Sequence, residues 1–343
     1  MYSKTLLITG GAGFIGANFV DYFTKAHPDY RLVNLDLLTY AARQEVFARQ
    51  ATMPNVIPVH GDIRDAALVR RLLAEYAIDG VLHFAAESHV DNSIPDPLRF
   101  IETNIVGTAT LLNECLLYWR SCGTLATSRF HHVSTDEVYG SLGEEGYFVE
   151  TTPYSPSSPY SSSKASSDLL VHAYARTYGL NVTVSNCSNN FGPWQHDEKL
   201  IPTVIRKCLA REAIPVYGTG RNIRDWLWVG DHCCAVDCIF HHAPSGERYN
   251  VGSHQEKTNL EIVGNICALL DTLAPWPGHR YEELISFVED RPGHDFRYAL
   301  DPTKIETELG WRPTVPYEEG LRRTVEWYLQ SRSVSDASSG SHN

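Results

Sequence analysis

A chain of 343 residues can bury a substantial core, and this one carries a net charge of −12. That charge argues against nucleic acid or an anionic membrane surface as a partner, because both select a basic face; any anionic ligand must be held by local Arg and Lys. The opening apolar run stops at Gly10-Gly11, far short of a signal peptide or membrane span, and the eight cysteines show no paired C-x-x-C spacing, so the chain reads as cytoplasmic with buried thiols.

Short apolar runs then alternate with segments of helical period. Residues 6–9, 31–36, 56–60, 80–85, 129–134 and 181–186 read as strands, with 66–76, 101–118 and 163–177 as amphipathic helices between them. This order predicts an α/β fold: a Rossmann-type doubly wound parallel sheet with a smaller α/β substrate-binding lobe, and ligand at the carboxyl ends of the strands. After residue 188 the rhythm breaks at Phe191-Gly192-Pro193, Ile214-Pro215 and Tyr217-Gly218-Thr219-Gly220, which marks the smaller lobe. A helix from Asp231 and a stretch over 249–252 return to the sheet. The lobes therefore interleave: an NAD-binding domain from 1–187 plus about 229–258, and a substrate lobe from about 188–228 plus 259–330. The Ser-rich segment 331–343 reads as a disordered tail. Cys233, Cys234 and Cys238 fall on one predicted helix and read as core packing, so no metal site is expected.

The first strand runs into Gly10-Gly11-Ala12-Gly13-Phe14-Ile15-Gly16, which opens a helix. Glycines at that spacing allow a tight turn and close approach of backbone to a pyrophosphate, which the helix N-terminus attracts. The second strand ends in Asp36, twenty residues past Gly16, where a carboxylate accepts from an adenosine ribose and repels a 2′-phosphate; the cofactor is read as NAD. Asp62 after the third strand and Ala85-Ala86 after the fourth are placed to line the same crevice.

Tyr160 and Lys164 stand four apart at the start of a helix and share a face, which suits a tyrosine base tuned by an ammonium. The fifth strand leads into Thr135-Asp136-Glu137, a hydroxyl and two carboxylates at the catalytic end of the sheet. Alcohol oxidation needs neither carboxylate. Elimination of water from a sugar needs a base for a carbon-bound proton and an acid for the departing hydroxyl, provided the strand ends or bends at Asp136 so that both side chains reach one cleft.

Taken together, TGGAGFIG (9–16), HFAAESHVD (83–91), FIETNIVGT (100–108), STDEVYG (134–140), SPYSSSKASSD (158–168), NCSNNFGP (186–193), EKLIP (198–202), IRDWLWV (223–229) and DRPGHD (290–295) resemble the dTDP-glucose 4,6-dehydratases of the extended short-chain dehydrogenase/reductase family, over about residues 4–330. The resemblance implies Tyr160 as base at the sugar 4-hydroxyl, with Thr135 and Lys164 assisting, Glu137 as base at C5 and Asp136 as acid at C6. It implies cofactor contacts at Gly10, Gly13, Phe14, Ile15, Gly16, Asp36, Thr39, Asp62, Ile63, Ala85, Ala86, Ser88, Thr103, Tyr160 and Lys164. Substrate contacts are implied at Ser88, Thr135, Asn189, Lys199, Leu200, Pro215, Tyr217, Arg224, Asn259, Arg291 and His294, together with a homodimer formed through two helices per subunit. Leu37 and Asn92 stand where the family commonly carries a basic residue. A nucleotide-sugar 4-epimerase or decarboxylase would share the glycines, Asp36, Tyr160 and Lys164, and Asp136-Glu137 speaks against both. A catalytically silent NAD-binding regulator would have no use for the catalytic side chains. Thymine differs from uracil by one methyl, worth only ~1 kcal/mol in an apolar pocket, so the sequence leaves the base open.

Overall fold

The computed structural model describes residues 2–290 and 294–339. Its strands are β1 (Lys4–Thr9), β2 (Tyr30–Asp36), β3 (Val56–His60), β4 (Gly80–His83), β5 (Arg129–Thr135), β6 (Val182–Cys187), β7 (Asn189–Phe191), β8 (Ile214–Tyr217), β9 (Ile223–Trp228), β10 (Arg248–Val251), β11 (Glu256–Thr258) and β12 (Ile285–Val288). Seven of them form one parallel sheet in the order β3-β2-β1-β4-β5-β6-β10. Successive side chains on a strand point to opposite faces, and β1 uses both. Leu7 packs with Val33, Val69, Leu111 and Trp119 on one side, while Leu6 and Ile8 pack with Phe19, Val236 and Phe240 on the other. Apolar burial on both faces explains why these strands read as unbroken hydrophobic runs.

Strand order reverses between β1 and β4, and above that switch the carboxyl ends open a crevice. The fourth strand is two residues shorter than expected, ending at His83, so Ala85 and Ala86 lie past it over the crevice. The helix expected over 101–118 is also modified. Residues Ile101–Val106 form a π-helical segment before the α-helix Gly107–Cys122. The physical reason lies at Asn104, whose carbonyl accepts from the Thr108 and Ser167 hydroxyls while its side chain ties down Glu87 and Ser163. Those bonds compete with the regular ladder and widen the turn.

The remaining strands make a three-stranded sheet, β11-β9-β7, and a two-stranded one, β12-β8. They pack with the helices Leu200–Ala210, Asn259–Leu273 and Tyr317–Ser339 around Phe191, Ile205, Trp226, Ile266 and Tyr317. Residues 303–311, grouped by sequence with the substrate lobe, pack elsewhere. Ile305 and Trp311 join Ala235, Ile239 and Tyr249 beside β10, because their apolar side chains cover the open edge of the large sheet. The last helix runs to Ser339, eight residues beyond Ser331, where a disordered tail was expected. No Gly or Pro interrupts 331–339, so a helix already nucleated on packed residues propagates at little cost; residues 340–343 lie outside the described residues. Six of the eight thiols are buried or half-buried, but Cys122 and Cys234 are exposed, since each sits on the outer face of its helix. No described helix is long and apolar enough to cross a membrane.

Candidate active site

The glycine turn is built where β1 ends. Gly10 adopts φ +74°, and a Cβ there would lie 2.7 Å from the Ala85 backbone; a Cβ on Gly16 would overlap the Gly10 carbonyl. Gly13 then caps the helix Phe14–Ala26 without a side-chain bond, leaving its first N–H groups to an anion. Two neighbours hold the turn in place. A ring of amides links Gly11 N to Asn34 Oδ1 (2.9 Å), Asn34 Nδ2 to Gln50 Oε1 (2.6 Å) and Gln50 Nε2 to Gly11 O (2.7 Å). Asp36 accepts from Ala12 N at 2.8 Å and Leu38 N at 2.9 Å, so it both faces the cleft and clamps the loop. Gly10→Ala should cost about 1–3 kcal/mol through the clash and the forced φ, read as a lower melting temperature and a loss of NAD-induced thermal stabilisation. Normal stabilisation by NAD would show that the close approach is unnecessary.

The cleft, a cavity of about 300 Å3, is lined by every residue expected at the cofactor: Gly10, Gly13, Phe14, Ile15, Gly16, Asp36, Thr39, Asp62, Ile63, Ala85, Ala86, Ser88, Thr103, Tyr160 and Lys164. Leu37 also lines it, whereas Asn92 donates to the Tyr40 hydroxyl at 3.2 Å. Cys187, Ser188, Asn190, Gln195 and His196 also line the cleft and were not singled out by sequence. The first two sit at the carboxyl end of β6, so the strand-end rule could have found them; the others need the tertiary fold.

Thr135, Asp136 and Glu137 share the same cleft. The strand does end where it must: residues Asp136–Tyr139 form a 3-10 turn, and the Thr135 hydroxyl accepts from Glu137 N at 3.3 Å. The turn removes the alternation that would have sent the two carboxylates to opposite faces. Asp136 is buried, bonded to Thr135 Oγ1 at 3.1 Å through Oδ1, while Oδ2 has no hydrogen-bond partner. Burial, reinforced by Glu137, pushes its carboxyl well above the usual range despite the opposing Arg224 charge, which favours the proton-bearing form that a general acid needs.

Tyr160 and Lys164 project from the helix Pro159–Tyr178, which starts at a capping box in which Ser158 and Ser161 exchange bonds of 3.0 Å, with Pro159 in its first turn. Both side chains are buried. Burial pulls the Lys164 ammonium down to about 8. Burial and the Glu137 charge push the Tyr160 phenol well above its ordinary value in the protein without a bound cofactor. The protein alone therefore leaves this tyrosine protonated, and a cation bound in the cleft is what would release its proton.

The residues expected at the substrate divide. Ser88, Thr135, Asn189 and Lys199 line the cleft, with Lys199 Nζ donating to Ser88 O at 2.9 Å. Leu200, Pro215, Tyr217, Arg224, Asn259 and His294 stand outside its wall. Leu200 and Asn259 begin helices, and Pro215 and Tyr217 lie on β8. The Arg224 guanidinium donates to the carbonyls of Ile223, Asp295 and Phe296 and lies 4.2 Å from the Tyr298 ring, which ties β9 to the segment 295–298. His294 Nδ1 lies 2.6 Å from Asp290 Oδ1, with Tyr217 edge-on to its ring. Arg291 lies outside the described residues.

No metal was expected. Among the described residues one group, His27, Asp237 and His241, has potential ligand atoms close together. It sits at the end of the helix Phe14–Ala26 remote from the cleft, and both imidazoles are bonded to the Asp237 carboxylate at 2.8–3.0 Å.

A doubly wound sheet with a glycine turn at its switch point, and a tyrosine-lysine pair on a helix beside it, define an extended short-chain dehydrogenase/reductase. The chain belongs to the GDP-mannose 4,6 dehydratase family, whose profile matches residues 7–324. It is 53% identical over 332 residues to a dTDP-glucose 4,6-dehydratase of Xanthomonas campestris pv. campestris (strain B100), covering 96% of this chain and 94% of the relative. A crystal structure of a dTDP-glucose 4,6-dehydratase from Streptomyces venezuelae with NAD bound aligns at TM-score 0.87 and 45% identity, covering 96% of this chain and 98% of that one. A UDP-glucose 4-epimerase from Thermotoga maritima shares the architecture at TM-score 0.83 but only 27% identity, covering 96% and 99%.

Proposed function

We propose that this protein is an NAD-dependent hydro-lyase that converts dTDP-glucose to its 4-keto-6-deoxy derivative. One observation carries the reading: a buried Asp136 beside Glu137 in the cleft that also holds Thr135 and Tyr160. An epimerase needs neither carboxylate. The 53% and 45% identities to dTDP-glucose dehydratases, against 27% to the epimerase, favour the same choice.

The glycine cradle, the bare helix N-terminus and Asp36 fit a dinucleotide, and the spaces that Cβ atoms would fill at Gly10 and Gly16 are the physical sign of it. NAD bound there supplies a hydride acceptor, its later donor, and positive charge near Tyr160. The chain's own residues handle the protons. Tyr160 takes the proton of the 4-hydroxyl as hydride leaves C4, and Thr135 orients that oxygen. The new ketone acidifies C5, from which Glu137 removes a proton. Asp136 gives its proton to the 6-hydroxyl, which departs as water; hydride returned to C6 and a proton to C5 complete the product, with no net redox change. Lys199 and Asn189, which line the cleft, would meet the diphosphate.

Incubation with dTDP-glucose, and separately UDP-glucose, tests this: loss of one water by mass and an alkaline ketone absorbance are expected with the thymidine nucleotide. Isomerisation without water loss would instead make it an epimerase.

The enzyme acts as a homodimer in this reading. Leu98, Ile101, Val106, Leu117 and Leu169 are exposed on the segment 97–122 and the neighbouring helix Pro159–Tyr178, with Leu98 at 67% and Leu169 at 62%. Apolar side chains grouped on adjacent helices mark an association surface. Leu98→Glu with Leu169→Glu should convert the dimer to monomer by light scattering; a wild-type monomer would refute the interface. A nucleotide-sugar substrate and eight cysteines without paired spacing support a cytoplasmic location in this reading.

A further inference from the structure

The helix Pro159–Tyr178 sets three chemistry-bearing residues at successive turns of one face: Tyr160, Lys164 and Asp168. The proposed reaction uses the first two. Asp168 has no solvent exposure, and a carboxylate taken wholly out of water costs several kcal/mol unless something compensates it. What compensates it therefore points to its role.

Its two oxygens are treated differently. Oδ2 is saturated, accepting from Ser134 Oγ at 2.9 Å, Tyr154 OH at 2.7 Å and Asn186 Nδ2 at 3.1 Å, donors drawn from β5, a loop and β6. Oδ1 receives no hydrogen bond, and His132 Nε2 stands 3.3 Å from it. The same nitrogen stands 3.4 Å from Lys164 Nζ, which also donates to Val133 O at 2.8 Å. A single imidazole nitrogen thus lies between a buried ammonium and a buried carboxylate. In a neutral ring that nitrogen can accept from one or donate to the other, so the imidazole bridges the pair in either tautomer.

We infer that Asp168 is a positioning residue, the buried counter-charge that keeps Lys164 an ammonium one helical turn from Tyr160, with His132 interposed between them. The consequence for catalysis rests on the dehydratase reading; the charge relationship does not.

The surrounding groups agree with this assignment. Burial lowers Lys164, and Asp168 is the leading group that opposes the loss. Burial first, and the Lys164 charge second, hold His132 to about 4, so it is neutral. From β4, His83 packs 5.2 Å from His132 and is driven down by burial; His172, one turn beyond Asp168, is lowered by burial too. From β6, Cys187 is pushed up to about 12 by burial and stays a thiol. Arg248, from β10, lies 4.9 Å from the Tyr154 ring, and burial keeps the Tyr154 and Tyr139 phenols protonated. Asp168 supplies the negative charge in this set.

Asp168→Asn in the full-length protein tests the inference, with ¹³Cε-lysine spectra in which the Lys164 signal is assigned by its loss in Lys164→Met. The Lys164 midpoint should fall by about one to three pH units when an adjacent opposite charge is removed. The pH dependence of solvent deuterium exchange at sugar C5, which does not need the Asp136 proton, should move with it. Tyr154→Phe is the comparison: it deletes one donor to Oδ2 but keeps the charge, so the midpoint should stay near that of the wild type. Asp168→Ser serves if Asn does not fold. An unchanged midpoint in a folded variant, with activity lost evenly across pH, makes Asp168 merely structural and overturns the inference. So does a wild-type midpoint below neutrality, since Lys164 would then be neutral whatever Asp168 contributes. If dTDP-glucose is not turned over at all, the spectroscopic result still decides the charge relationship, while the dehydratase reading fails separately.

Discussion

Asp136→Asn should lower the rate of water loss from dTDP-glucose by about 10²–10⁴-fold, the usual contribution of a positioned general acid. Asparagine matches the carboxyl in shape and still meets the Thr135 hydroxyl, but it has no proton to give to a departing oxygen. The earlier steps need only Tyr160, Thr135 and Glu137, so in D₂O the recovered dTDP-glucose should gain deuterium at C5 while little product forms. A rate of water loss near that of the wild type would remove Asp136 from the acid's role. The pH dependence follows from the same group. Its carboxyl is raised by burial and by Glu137, and the acid form is the working one, so activity should fall as pH rises through that raised value. In Asp136→Asn the residual rate should lack that decline.

Tyr160→Phe should cost about the same 10²–10⁴-fold, with a different signature. Without the phenol no group takes the 4-hydroxyl proton, the C4 ketone does not form, and both water loss and C5 exchange should vanish together. The phenyl ring keeps the edge contact with Phe100, at 6.2 Å between centroids, so the fold and the thermal response to NAD should remain. Exchange at C5 persisting in Tyr160→Phe would show that another group begins the reaction. Together the two variants separate oxidation from elimination, which a single loss of activity cannot do.

The parts of the site legible in the sequence are those whose geometry is local. The glycine turn, Asp36 at the next strand end, and Tyr160 four residues before Lys164 each depend on a strand end or one helical turn, and each lies on the cleft. The Thr-Asp-Glu triplet was legible in composition but conditional in geometry, because only the 3-10 turn brings both carboxylates to one side. The diphosphate residues expected from the smaller lobe fared differently: Asn189 and Lys199 reach the cleft, whereas Arg224 is engaged with the carbonyls of Ile223, Asp295 and Phe296. The exposed Cys122 and Cys234 and the helical 331–339 departed from the sequence reading, since neither helix phase nor propagation from a packed neighbour shows in composition.

The sequence by itself determined the doubly wound sheet, the dinucleotide turn and which side chains are proposed as acids and bases, because hydrophobic period and short motifs encode contacts between near neighbours. The tertiary structure alone decided the charge environment: that burial raises the Asp136 carboxyl, that it raises the Tyr160 phenol as well, and that Lys164 faces Asp168 across His132. Those depend on desolvation and on groups brought together from distant strands, and the free energy of removing a charge from water is fixed by what surrounds it, which no local pattern records.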